Sequence, residues 1–192
     1  MNTVEPVFIG YFPKRRAIPP GPRIPPQVVQ ICNVGHCGGF GPADWMAAWR
    51  HNQLSVFDSE ILAWSVLPEN ERDAFEIHGY KLAPVLYMAT GPQPIEIPGV
   101  APNPMPVEYR RIGYDPVSAP DLASHQDVMP NIFGHSSLSP FCNGRCGDIP
   151  VNRFCLLDTE QDAIRRAQEF CNGGGEPEPY VVVEVWKREE CL

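Results

Sequence analysis

"NQLSVFDSEILA" occupies positions 52–63, and "NRFCLLDTEQDA" occupies positions 152–163. Asn52, Asp58, Glu60 and Ala63 of the first stretch return as Asn152, Asp158, Glu160 and Ala163 of the second, with no gap between them. Leu54/Phe154, Val56/Leu156, Phe57/Leu157 and Ser59/Thr159 are conservative pairs. Two further blocks recur in the same order. "IGYFP" at 9–13 returns as "IGYDP" at 112–116, and "CNVGHC" at 32–37 returns as "CNGRC" at 142–146, one residue shorter. Matched blocks in one order point to an internal duplication. The expected organisation is a first unit over residues 1–92, a proline-rich linker over 93–105 and a second unit over 106–192. Together they would pack as one pseudo-two-fold globule.

Each copy reads alike in physical terms. Leu54, Val56 and Phe57 form a short apolar run, the signature of a buried strand. Asp58 is placed to cap a helix, with Glu60 in its first turn against the helix dipole. That helix carries Ile61, Leu62 and Trp64 and stops at Pro68. In the second copy Asp158 caps, Gln161 takes the capping-box position, and Ala163, Ile164, Ala167, Phe170 and Cys171 recur at helical spacing. "NGGG" at 172–175 ends that helix. A long strand follows each helix, over 75–89 and over 180–188. In the latter Val181, Val183 and Val185 share one face, which is therefore buried. The first copy adds a helix over 42–52, with Trp45 and Trp49 on one inward face. The predicted fold class is α+β: two related strand–loop–strand–helix–strand halves around a mixed or antiparallel sheet.

Composition narrows the function. An apolar share of 43% and a charged share of 20% belong to a chain that can bury a core. A formal net charge of -8 repels phosphate backbones, so nucleic acid is not the expected partner. No apolar run is long enough for a membrane span. The N-terminus shows no basic region followed by an apolar one, so the expected compartment is the cytoplasm and the seven cysteines are expected to be reduced. The 23 prolines cluster at 17–27 and 91–109. Proline fixes φ and lacks a donor, so neither stretch can be helix or inner strand.

The cysteine loops hold the candidate chemistry. Four residues separate Cys32 from Cys37, and three separate Cys142 from Cys146. Both gaps fall within the range used by zinc chelates. One pair from each copy would complete a tetrahedral zinc site of Cys32, Cys37, Cys142 and Cys146, with His36 able to replace one thiolate. Buried thiols in glycine turns, or loop disulfides in an oxidising compartment, are the alternatives. Residues 35–39 also read G-x-C-x-G, the form of a nucleophile elbow. On that reading Cys37 attacks a carbonyl, His36 lies beside it, and His135, His78 or His125 is the base. The next helix begins only after Phe40, Gly41 and Pro42, and "CNGRC" has lost the pattern, so the elbow departs from its type. Tyr114 and Asp115, with Arg110 and Arg111 upstream, form a weaker candidate for an anionic group. No Walker loop, dinucleotide fingerprint or metalloprotease motif is present in the sequence. The leading expectation is a soluble, non-enzymatic binding or interaction protein with a protein or small-molecule ligand and a candidate zinc site between the halves. The alternative is a cysteine-dependent hydrolase or transferase using Cys37.

Overall fold

Where the chain alternates aromatic and β-branched residues it forms strands, as the pleat favours. The structure, a computed structural model, describes residues 5–15, 25–28, 54, 56–97, 104–119, 138, 149–173 and 177–189. In chain order these residues form β1 (Val7–Arg15), α1 (Glu60–Ser65), a 3₁₀ turn (Glu69–Ala74), β2 (Phe75–Leu82), β3 (Val85–Met88), β4 (Gly91–Pro94), β5 (Tyr109–Ser118), α2 (Glu160–Cys171) and β6 (Tyr180–Arg188). The fold is an open antiparallel sheet of six strands with a few helices, an α+β arrangement. Among the described residues every strand pair is antiparallel. No helix among them is long and apolar enough to cross a membrane.

β6 is the centre of the sheet. One of its edges pairs with β5 along its whole length, from Tyr109↔Arg188 to Ser118↔Tyr180. Its other edge pairs with β2 from His78↔Lys187 to Leu82↔Val183, and then with β3 at Tyr87↔Tyr180. β1 lies outside β2, and β4 lies outside β3. The strand expected over 75–89 is therefore two strands. Ala83 and Pro84 interrupt it, because a proline nitrogen cannot donate to the ladder. Proline also marks the outer strands: Pro13 stands in β1, Pro116 in β5, and Pro92 and Pro94 in β4. The second proline-rich stretch thus begins as an edge strand. Its Ile95, Ile97 and Met105 pack against the core.

Residues directly opposite one another across a ladder share a face. One face carries Phe12 and Lys14, then Glu76, His78, Tyr80 and Leu82, then Val183, Val185 and Lys187, then Asp115 and Val117. The other carries Tyr11, Ile77, Val182 and Tyr114, and here both helices lie. Ala63 of α1 joins a core cluster with Tyr11, Phe75 and Ile77, while Ala163, Ala167 and Phe170 of α2 join one with Tyr114, Tyr180 and Val182. Burying those apolar side chains, at about 1.5–3 kcal/mol for each large one, is the main force holding helices to sheet.

The joints between strand and helix differ from expectation in two respects. Leu54, Val56 and Phe57 are fully buried, but they do not form a strand. A single bridge ties Phe57 to Tyr11, with N–H···O distances of 2.8 Å in both directions. Leu157 meets Tyr114 likewise, at 2.9 Å in both directions. The helix caps also fall one residue later than Asp58 and Asp158. The Ser59 hydroxyl accepts from the Leu62 N–H at 3.2 Å, and the Thr159 hydroxyl accepts from the Asp162 N–H at 3.1 Å. A hydroxyl on the residue adjoining the first turn reaches the free N–H groups directly. Asp162, rather than Gln161, answers Thr159, accepting its hydroxyl at 2.7 Å. Asp158 is instead an acceptor for the Asn152 amide at 3.1 Å. α2 ends at Cys171, with Asn172 as its cap.

Asn152 and Gly113 fasten the second joint. Asn152 donates to the Ile112 carbonyl at 2.9 Å and accepts from the Phe154 and Leu156 N–H groups at 2.9 and 3.3 Å. Gly113 sits at a bulge in β5 with φ +153, where a Cβ would stand 2.6 Å from Leu156 Cβ and 2.8 Å from the Leu157 carbonyl oxygen. Gly10 sits at a bulge in β1 with φ 138. Only glycine suits such a backbone at low cost.

Candidate functional site

The alternation of β2 places Glu76 and His78 on the same face, two residues apart. The β2–β6 register sets Lys187 opposite His78, and the β1–β2 register sets Lys14 opposite Glu76. Lys187 Nζ donates to Glu76 Oε1 at 2.9 Å, and His78 Nε2 lies 3.4 Å from Glu76 Oε2. Lys14 Nζ stands 5.9 Å from the Phe12 ring centre and 5.8 Å from that of Tyr80. Lys187 Nζ also lies 5.8 Å from the Phe154 ring. The His78 side chain is 4% exposed, that of Glu76 10% and that of Lys187 19%.

Burial sets the protonation of this group. It pushes the His78 imidazole below its usual value; the Glu76 carboxylate acts the other way, and Lys14 and Lys187 add to the lowering. His78 is therefore neutral at neutral pH, with one ring nitrogen toward Glu76. Taking a carboxylate and ammonium out of water costs several kcal/mol each, and their attraction offsets this only in part. A buried ionisable group of this kind is weak evidence for stability and a fair marker of a functional position.

A second polar corner lies on the opposite face. Arg188 donates to Glu60 at 2.7 Å, and its guanidinium stands 5.8 Å from the Tyr109 ring. Burial, then the Glu60 carboxylate, raises the Tyr109 phenol far above its ordinary value. Tyr109 meets Tyr11 edge-on, with ring centres 5.8 Å apart. Arg188 is half exposed, so this corner is a packed surface contact.

Cys32, Cys37, Cys142 and Cys146, with His36, His125 and His135, lie outside the described residues, as do Trp45 and Trp49. Of the candidate bases His78 alone is described, and the Glu76 carboxylate stands beside it. Among the described residues no group of three or more histidines, cysteines and carboxylates stands together as a metal would need. The Cys155 thiol points at the Leu138 carbonyl at 3.4 Å, and that of Cys171 at the Tyr87 carbonyl at 3.1 Å. Tyr114 meets Arg111, but Asp115 stands on the opposite face, so the four residues do not form one site. Asp115 is buried on the Glu76 face, whereas Arg111 lies on the helix face, 3.3 Å from Glu184 and 4.8 Å from the Tyr114 ring. Comparison with known protein families, with curated proteins and with solved structures found no match to this chain.

The Glu76–His78–Lys187 group was missed as a unit because "FEIHGYKL" alternates polar with apolar residues. That pattern ordinarily marks a strand with one solvated face. Here both faces of β2 are buried. The signal that was available is the type of the polar residues, a carboxylate and an imidazole two apart.

Proposed function

We propose that this is a non-enzymatic binding protein made of two copies of one α+β unit, with its ligand site where the copies meet. Several matches support the duplication. Gly10 pairs with Tyr80 just after the irregularity in β1, and Gly113 pairs with Val185 just after that in β5. Tyr11 bridges Phe57 as Tyr114 bridges Leu157. Ser59 caps the helix of one copy as Thr159 caps that of the other. In the β2–β6 ladder Tyr80 faces Val185, the residue in the same position of the other copy. That pair is where a pseudo-two-fold axis would pass.

The observation that carries the binding reading is the burial of Glu76, His78 and Lys187 across the β2–β6 joint. Clefts between packed units, with a few convergent polar groups, are the usual place for small ligands. A joint that served packing alone would be as well held by apolar side chains. A thermal-shift screen of small carboxylates, amines and phosphates tests it. The expected result is a compound that stabilises the wild-type chain and fails to stabilise Glu76→Gln. Absence of any such compound, with an unaltered melting point for the variant, would overturn the reading. The cysteine loops enter as a zinc site of Cys32, Cys37, Cys142 and Cys146; metal-free protein with four freely reactive thiols would refute that part.

One observation favours a second reading, a thiol-dependent hydrolase or transferase. His78 has Glu76 beside one ring nitrogen, as an oriented base requires. Cys37 would be the nucleophile. Iodoacetamide should then label Cys37 far faster than the other cysteines at neutral pH. Uniform slow labelling would exclude it.

A further inference from the structure

We propose that Glu76, His78 and Lys187 form a proton-sensitive latch on the β2–β6 joint, in which protonation of His78 draws Glu76 away from Lys187 and frees the end of the ladder. Glu76 and His78 stand on β2 and Lys187 on β6, so the Glu76–Lys187 contact crosses the joint. His78↔Lys187 is also a terminal pair of the β2–β6 ladder, whose centre is Tyr80↔Val185 and whose other end is Leu82↔Val183. The end of a ladder opens more readily than its centre, so a contact placed there governs local opening.

The carboxylate is already divided. One oxygen meets Lys187 at 2.9 Å, and the other meets His78 Nε2 at 3.4 Å, long for a charged hydrogen bond. An imidazolium would compete for the same carboxylate and repel the ammonium opposite it. Among the described residues, the charged or titratable groups facing His78 are Glu76 on its own strand, Lys187 on β6, Lys14 on β1 and Tyr80 two residues along β2. Two ammoniums and one carboxylate make this a poor place for a further positive charge. Burial disfavours it more strongly still.

The direction of the response follows from linkage. His78 titrates lower in the closed state than in the open one, where its value is near 6.5. Below that pH the open end binds the proton more readily, so acid favours opening. Between the two values the opening equilibrium shifts by up to tenfold per pH unit. Above about pH 7.5 the ladder end should be insensitive to pH.

This inference rests on the ladder geometry and not on the binding reading, and the two can fail separately: the thermal-shift screen tests binding, and hydrogen exchange tests the latch. Exchange is measured on the whole chain between pH 5 and 7.5, corrected for intrinsic rates. The expected result is that protection at the His78↔Lys187 end falls several-fold as pH drops below 6.5, while the central pair Tyr80↔Val185 stays protected. His78→Gln should abolish that fall. Ring nitrogen shifts of His78 in the wild-type protein give a readout that needs no variant; they should report a neutral ring in the closed state below pH 6.5. A ladder end whose corrected exchange does not change with pH, a His78→Gln chain that keeps the acid response, or a ring charged at pH 6.5 in the closed state would each overturn the latch.

Discussion

Replacing Gly113 by alanine probes the joint between β5 and the loop ahead of α2. A methyl there would meet Leu156 Cβ at 2.6 Å, the Leu157 carbonyl oxygen at 2.8 Å and Asn152 Nδ2 at 3.1 Å, at φ +153. Two of those neighbours are a Cβ and a backbone atom, and Leu157 is itself tied to Tyr114 at 2.9 Å in both directions. The third, Asn152 Nδ2, is held by the Ile112 carbonyl and the Asp158 carboxylate, so the strand or the loop has to move. Holding a non-glycine residue at such a φ costs about 1–3 kcal/mol, and overpacking adds about 1–3 kcal/mol. Gly91 supplies the comparison: its φ is +114, and a Cβ there meets nothing within 4 Å. Gly91→Ala should lose only the backbone part. The gain from a less flexible unfolded chain, about 0.4–1 kcal/mol, is common to both variants and cancels in the difference. Gly113→Ala should therefore be the less stable of the two by about 1–3 kcal/mol. That is a further fall in melting temperature of about 2–12 °C for a chain of this size. Urea unfolding at unchanged slope measures it directly. A Gly113→Ala chain within about 0.5 kcal/mol of Gly91→Ala would mean that close approach is not why glycine stands in "IGYDP".

Thr159→Ala should cost about 1 kcal/mol through loss of the α2 cap, and more than Asp158→Ala; the reverse order in urea melts would restore Asp158 as the cap. Lys187→Met, which removes the ammonium beside a buried Glu76, should cost up to about 3–5 kcal/mol, and Glu76→Leu/Lys187→Met should recover most of it. Additive losses in that double-mutant cycle would show that the pair is uncoupled. The thiol of Cys171 is pushed up by burial, so it should label with iodoacetamide more slowly at pH 8 than a cysteine in a short peptide; equal rates would contradict its packing against Tyr87. Burial raises the phenols of Tyr11, Tyr87, Tyr109 and Tyr114, so the unfolded chain loses these protons first and stability should fall as pH rises past about 10. Ionisation followed at 295 nm should then coincide with unfolding, and early ionisation in the folded state would argue against it.

The parts of the fold that were legible in the sequence are those with a local physical cause. "YVVVEVWKR" is apolar on both faces near its start, and it is the buried central strand. Proline within a strand confines that strand to an edge, and Pro13 and Pro116 fall in edge strands. The repeated Gly-Tyr marks a bulge followed by a bridge in both places. What depended on contacts distant in sequence was not legible. The cap moved from Asp58 to Ser59 because either residue type can cap, and only the chain's path decides between them. The Glu76–Lys187 contact joins residues brought together by the β2–β6 register alone. Nothing local to "FEIH" states that its polar face is covered.

The place of β6 in the sheet has a consequence for how the chain is made. Every other strand described here leaves the ribosome before it, and the β1–β2 and β5 segments can join one sheet only through it. At a synthesis rate of about 5–20 residues per second, the interval between the end of β2 and the end of β6 is roughly 5–20 s. Through that time β2 has its inner edge open, and β5 has no neighbour on the side that β6 will fill. Among the described strands the one that completes the core arrives last, so the nascent chain carries partly unpaired strands until position 188 is made. A ribosome stalled before position 180 would leave β1–β2 and β5 made and no strand to join them.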